Sequence, residues 1–230
     1  MSTEILEKIK TRGYWQIVIR PQKFLKERVL SLPNLVKSIE ENKVSYRGWD
    51  FPHLTLHEMH RDLDYIQMST IFLEINETWR FYQSGQFAFF RGLSEDWVEE
   101  EKWQARGVEP GKKLGVLSTL YQLSEVYEFA ARLAQAGIFD DTLVLKVNLI
   151  GTQGRNLFFW PGEGMRWLRK SYTCDILNLP KQESYKVTDF IALSHDYSFQ
   201  HFQWIMERFG FDISLDVFKR DQEKFFEGRF

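Results

Sequence analysis

Val116-Leu-Ser-Thr-Leu-Tyr-Gln-Leu-Ser-Glu-Val-Tyr-Glu-Phe-Ala-Ala-Arg-Leu-Ala-Gln-Ala136 is the clearest helical stretch of the chain. Leu117, Leu120, Tyr121, Leu123, Val126, Tyr127, Phe129, Ala130 and Leu133 form an apolar stripe at three- and four-residue spacing, and Gly137 closes the helix. The stripe is too wide for one neighbour to cover, so the helix reads as the central packing element. At 230 residues the chain buries roughly 70% of its unfolded surface and needs neither a disulfide nor a structural metal to fold.

The segments around this helix are mostly strands. Tyr14-Trp-Gln-Ile-Val-Ile-Arg20 has the β-branched and aromatic content of a strand, and Pro21 stops it. Residues 22–42 turn helical, with Pro33 expected to split the helix in two. Residues 65–75, 77–82 and 85–91 read as an antiparallel meander with a turn at Gln83-Ser-Gly85. Alternation places Trp79 and Phe81 on one face and Arg80 and Tyr82 on the other.

Residues 95–115, with Glu99-Glu-Glu-Lys and Glu109-Pro-Gly-Lys-Lys, read as an exposed loop. Residues 142–150 and 155–160 flank Gly151-Thr-Gln-Gly154 as a hairpin, and residues 172–177 and 185–193 as further strands. Two helices, 199–209 and 215–226, end the pattern around Gly210. No βαβ alternation occurs, so the expected class is α+β: a mostly antiparallel sheet, meander plus hairpin, on a long central helix with two C-terminal helices. The expected organisation is one domain over residues 1–230; a subdivision would fall near residues 137–141.

Composition narrows the function classes. Aromatics make up 16% of the chain, with 20 Phe, 9 Tyr and 8 Trp, which argues against disorder. With 30 basic and 32 acidic residues the net charge is -2, so no long-range field draws in nucleic acid. The single cysteine, Cys174, cannot form an internal disulfide and reads as a small buried hydrophobe, which fits a reducing cytoplasm. The charged N-terminus is not a signal peptide, and no apolar run reaches the length of a membrane span. The expectation is a cytoplasmic protein without a cofactor.

The residues best suited to recognition are Arg47-Gly-Trp-Asp-Phe-Pro-His53, followed by His57, His60 and Asp64. His53, His57 and His60 are spaced four and three apart, so a helix begun at Thr55-Leu-His-Glu58 would bring them to one face. With Asp64 or Asp50 they would make a zinc or iron site, and hence a metal-dependent hydrolase or nuclease. Against this, there is no His-Glu-x-x-His and Pro52 makes the entry irregular; the same histidines also read as loop surface residues. Asp64 and Glu74 lack the lysine a nuclease would want two positions on. No Gly-x-Ser-x-Gly and no phosphate loop occurs.

Trp160-Pro-Gly-Glu-Gly-Met-Arg166-Trp-Leu-Arg-Lys170 interleaves aromatics with Arg166, Arg169 and Lys170, a pattern suited to single strands. It equally describes a loop anchored by tryptophans with snorkelling cations. The opening motif also has a purely architectural reading, as a corner with Gly48 at positive φ and Asp50 capping a turn.

Arg47-Gly-Trp-Asp-Phe-Pro-His53 and Trp79-Arg-Phe-Tyr-Gln-Ser-Gly-Gln-Phe87, with Ser124-Glu-Val-Tyr-Glu-Phe-Ala-Ala-Arg-Leu133 and Phe209-Gly-Phe-Asp212, resemble an uncharacterised prokaryotic family. In that family such regions are sometimes joined to Schlafen-like AlbA_2 DNA-binding domains, often in mobile or defence-related gene neighbourhoods. The resemblance covers Asp50 and His53 but not His57 or His60, and the acidic AlbA_2 signature is not evident. It therefore implies a partner or sensor module rather than a nuclease. The reading leans away from an enzyme, toward a module that binds a protein partner or a small polar ligand through Arg47, Trp49, Asp50, His53, Trp79 and Gln86.

Overall fold

The computed structural model describes residues 3–99, 102, 107–163, 166–212 and 214–228. Among them are five helices, α1 (Thr3–Lys10), α2 (Leu32–Asn42), α3 (Val116–Gln135), α4 (Val187–Arg208) and α5 (Leu215–Phe226). The strands are β1 (Tyr14–Pro21), β2 (His60–Arg61), β3 (Tyr65–Phe72), β4 (Ile75–Tyr82) and β5 (Phe87–Gly92), then β6 (Lys113–Gly115), β7 (Thr142–Ile150), β8 (Asn156–Phe158) and β9 (Asn178–Lys186). Seven of the strands form one sheet in the order β2-β3-β4-β5-β1-β7-β9, with every neighbouring pair antiparallel. The architecture is α+β, with a long helix on the sheet and two C-terminal helices.

β1 lies between the meander and β7, so hydrogen bonding runs unbroken through chain segments on both sides of residues 137–141. Its alternation buries Trp15, Ile17 and Ile19 on the face that meets α3. Phe129 of α3 packs edge-on against Phe87 of β5 at 4.9 Å, while Tyr127 stacks on Phe190 of α4 at 5.7 Å. Having the sheet on one side and α4 on the other is what so wide an apolar stripe requires.

Several local expectations change. Helix α2 begins only at Leu32, because Ser31 caps it by accepting from the Asn34 amide at 3.3 Å and Pro33 sits in the first turn, where no amide donor is needed. The strand expected over residues 65–75 turns at Leu73, whose φ is 51°, so β3 and β4 form a hairpin with no glycine at its tip. Residues 155–160 do not pair with β7. Both edges of β7 are taken, by β1 and β9, and β8 pairs instead in parallel with β6. Residues 172–177 make only an isolated bridge at Thr173, although Cys174 is buried as expected. Residues 187–193, expected as strand, open α4.

The start of the expected loop at 95–115 is not exposed either: Glu95, Asp96 and Val98 are buried. Residues 100, 101 and 103–106 of that loop, and Gly164 and Met165 of the tryptophan-rich segment, lie outside the described residues. Asp96 is held by Arg155 through two parallel contacts, Nη1–Oδ1 at 2.8 Å and Nη2–Oδ2 at 2.5 Å. The carboxylate also accepts from the amides of Gly13 at 2.9 Å and Gly111 at 2.7 Å. A Cβ at Gly13 would meet Arg155 Nη2 at 2.3 Å, which explains the glycine.

Removing one partner of so buried a pair strands the other charge. Arg155→Met and Asp96→Asn are each expected to cost about 3–5 kcal/mol in urea unfolding. The double variant should lose clearly less than the sum, because no lone charge remains.

Candidate functional site

The corner after α2 is built from its own residues. Val44 and Phe51 exchange backbone hydrogen bonds at 2.8 Å each way, and Gly48 adopts φ 70° between them. Phe51 plugs the core against Phe89 and Phe129 at 4.9 and 5.6 Å. Asp50 accepts from Lys43 Nζ at 2.5 Å and from the Ser45 hydroxyl. Burial works against its ionisation, but these two donors outweigh burial and hold its pKa below the ordinary carboxylate value.

His53 is held mainly through its backbone. Its amide donates to Glu77 Oε1 at 3.0 Å, and its carbonyl accepts from Trp79 Nε1 at 2.8 Å. The ring stacks on Trp49 at 3.9 Å and lies 3.1 Å from Thr55 Oγ1. Burial lowers its pKa, which favours the neutral imidazole.

Arg47 reaches away from this corner to α3. Its Nε and Nη2 hold Glu125 Oε1 and Oε2 at 2.9 and 2.5 Å. Beside this fork the antiparallel register sets Glu77 of β4 opposite Arg91 of β5, with Arg91 Nη1 3.7 Å from Glu77 Oε2. Burial raises the pKa of Glu77, against the pull of Arg91 and the His53 amide, and burial likewise lowers that of Arg91. Glu95 accepts from the Gly115 amide at 2.6 Å, and burial raises its pKa too.

Arg47, Arg91, Glu95, Ser118, Thr119 and Gln122 converge on a recess of about 60 Å³, with Trp15, Leu93 and Leu114 in its apolar wall. That is room for roughly four waters, or for the end group of a larger molecule. Two of its lining residues keep donors in reserve. The Arg91 guanidinium makes no hydrogen bond to any described residue, only the 3.7 Å ion pair with Glu77, and Gln122 Nε2 is buried without a partner among them. Glu77 Oε2 is a buried acceptor in the same condition.

The structure brings some of the expected site residues together and separates others. Arg47, Trp49, Asp50, His53 and Trp79 share the corner, but only Arg47 lines the recess. Gln86 lies toward the other end of the β4–β5 hairpin, in a groove with Arg20, Lys23 and Ser84. His53, His57 and His60 do not share a helix face, because the only helix there is a single turn at Leu56–Glu58 whose Thr55 side chain makes no cap. His57 and His60 are exposed, and among the described residues no three His, Cys, Asp or Glu side chains are placed to hold a metal. Arg166 is tied to Asp221 at 2.6 and 2.7 Å in another groove.

Gln122, Ser118 and Glu95 were not among the expected site residues. A signal existed, since Ser118, Gln122 and Glu125 recur at i, i+4 and i+7 through the most apolar helix of the chain. Arg91 had no such signal, because only strand register sets it against Glu77. No protein-family profile, curated protein or solved structure matches the chain.

Beside the recess, Trp160 Nε1 donates to Ser118 Oγ at 2.9 Å, and the Trp160 amide donates to Glu163 Oε2 at 2.8 Å. Burial pushes the Glu163 pKa up to about 7, with Glu95 adding to the rise and Arg166 opposing it. A carboxyl raised on folding favours the native state while protonated and loses that advantage as pH climbs from its ordinary value of 4.5 to about 7. Glu163→Gln should therefore leave the urea midpoint near that of the parent at pH 5 and raise it above the parent at pH 8.

Proposed function

We propose that the protein is a non-catalytic binding module that takes the anionic end group of a small polar ligand into the recess beside Arg47. The observation that carries this reading is Arg91, a buried guanidinium that makes no hydrogen bond to any described residue and only a loose 3.7 Å ion pair with Glu77, lining a cavity of about 60 Å³. A buried cation without hydrogen bonds is costly, and its planar fork of donors matches a carboxylate or similar oxyanion. Gln122 Nε2 offers a further donor beside it. The size of the recess favours a terminal group over a whole cofactor. Trp15 in its wall makes ligand entry readable by tryptophan fluorescence. A sensor or accessory role in a prokaryotic defence or regulatory system is supported by the motif resemblance alone.

Acetate, malonate and inorganic phosphate are suitable probes, titrated by calorimetry and tryptophan fluorescence on the full chain. Saturable binding of at least one is expected. The paired variant Glu77→Gln/Arg91→Gln, which leaves no lone charge between the two strands, should weaken it roughly tenfold to a hundredfold. Absence of saturation with all three probes, or equal affinity in the paired variant, would overturn the proposal.

A further inference from the structure

A larger cavity, about 560 Å³, opens between the segment after β8 and the turn leading into α5. Its wall is aromatic: Tyr172 packs on Phe211 at 4.8 Å, Phe211 meets Phe218 edge-on at 6.1 Å, and Phe159 lies parallel to Phe218. Arg166 belongs to this wall, spent on its bidentate contact with Asp221 and lying over Phe159 at 5.9 Å.

The rim differs in kind. Trp167 is 77% exposed, and among the described residues its ring and its indole N–H have no partner. Two positions on, Arg169 makes no hydrogen bond or ion pair within the described residues. Lys170 is exposed, with only the Tyr172 ring beneath it at 5.1 Å. A free indole face next to two cations without an ionic partner among the described residues matches the alternation of bases and phosphates along a single strand. A duplex does not fit, because its bases are already stacked on one another. Asp212 on the lining repels phosphate, so the backbone is directed to the Arg169 and Lys170 side.

We propose that this groove binds single-stranded nucleic acid, one base stacking on Trp167 while the flanking phosphates meet Arg169 and Lys170. The net charge of -2 gives no long-range attraction, so binding is local, modest and shallow in its salt dependence. Two phosphate contacts predict a log–log salt slope of about -1.4. The site is independent of the recess beside Arg91, so Glu77→Gln/Arg91→Gln should leave it intact.

The test uses the full chain with fluorescein-labelled oligouridylate and oligothymidylate ten-mers at low salt. Anisotropy reports binding, and tryptophan quenching reports stacking. Expected are saturable binding, a salt slope near that value, and a loss of about fivefold to a hundredfold in Trp167→Ala. Trp167→Phe should recover part of the loss, and Arg169→Ala/Lys170→Ala should flatten the salt slope. Trp167, Arg169 and Lys170 are exposed, so thermal melts should match the parent and separate lost binding from lost fold. No binding at low salt, a salt-independent isotherm or an unchanged Trp167→Ala affinity would each overturn the proposal. So would adenosine monophosphate binding as tightly as the ten-mers, which would assign the groove to a free nucleotide. An oligoglutamate peptide competing equally would assign it to acidic peptides and overturn it as well.

Discussion

The Asp96–Arg155 pair is the interaction on which the rest of the arrangement depends. Both side chains are almost wholly buried, and the carboxylate is saturated by two contacts from the guanidinium and two from backbone amides. Arg155 also donates to the carbonyls of Gly151 at 2.5 Å and Lys113 at 2.8 Å. The entry to β1, the turn after β5, the start of β6 and the exit of β7 therefore meet at one ion pair. Burying two charges is tolerable only when every donor and acceptor is used, and here nearly all are. Because Gly92, Leu93, Ser94 and Glu95 line the recess, its geometry rests on the residue that follows them, Asp96.

The contrast with the neighbouring charges is informative. Asp96–Arg155 and Arg47–Glu125 are close, bidentate pairs, whereas Glu77–Arg91 is a loose contact at 3.7 Å. Arg47 and Arg91 both line the recess, but Arg47 is spent on its fork with Glu125, whereas the Arg91 guanidinium makes no hydrogen bond to any described residue and Gln122 Nε2 beside it has no partner among them. Structural ion pairs exhaust their hydrogen-bonding capacity, and a binding site must keep some in reserve. That difference, rather than the presence of charge, separates the scaffold from the candidate site.

Much of the architecture was legible because it depends on local periodicity. The apolar stripe of α3, the meander of β3 to β5 and the α+β class follow from spacings of about 3.6 and 2 residues. Errors arose where local and tertiary signals diverged. Residues 185–193 have the composition of a strand, but burial of Phe190, Ser194, Ser198 and His201 follows a helical period that only packing on α3 makes visible. The hairpin expected between residues 142–150 and 155–160 failed because β7 has no free edge. The histidine cluster dispersed because one turn at Leu56–Glu58 cannot carry His53, His57 and His60 on one face.

By itself, the sequence determined the class, the central helix and the turn at Gly48 in the Arg47-to-His53 corner, since propensity, turn chemistry and side-chain period act over a few residues. Only the tertiary structure decided that β1 enters between β5 and β7, that Glu77 faces Arg91, and that Arg47 crosses to Glu125. These strand and charge pairings join residues 14 to 136 positions apart, and many partners satisfy either of them equally well on paper. The choice among those partners is made when the core closes, because only then does leaving a charge or a sheet edge unmatched carry a cost.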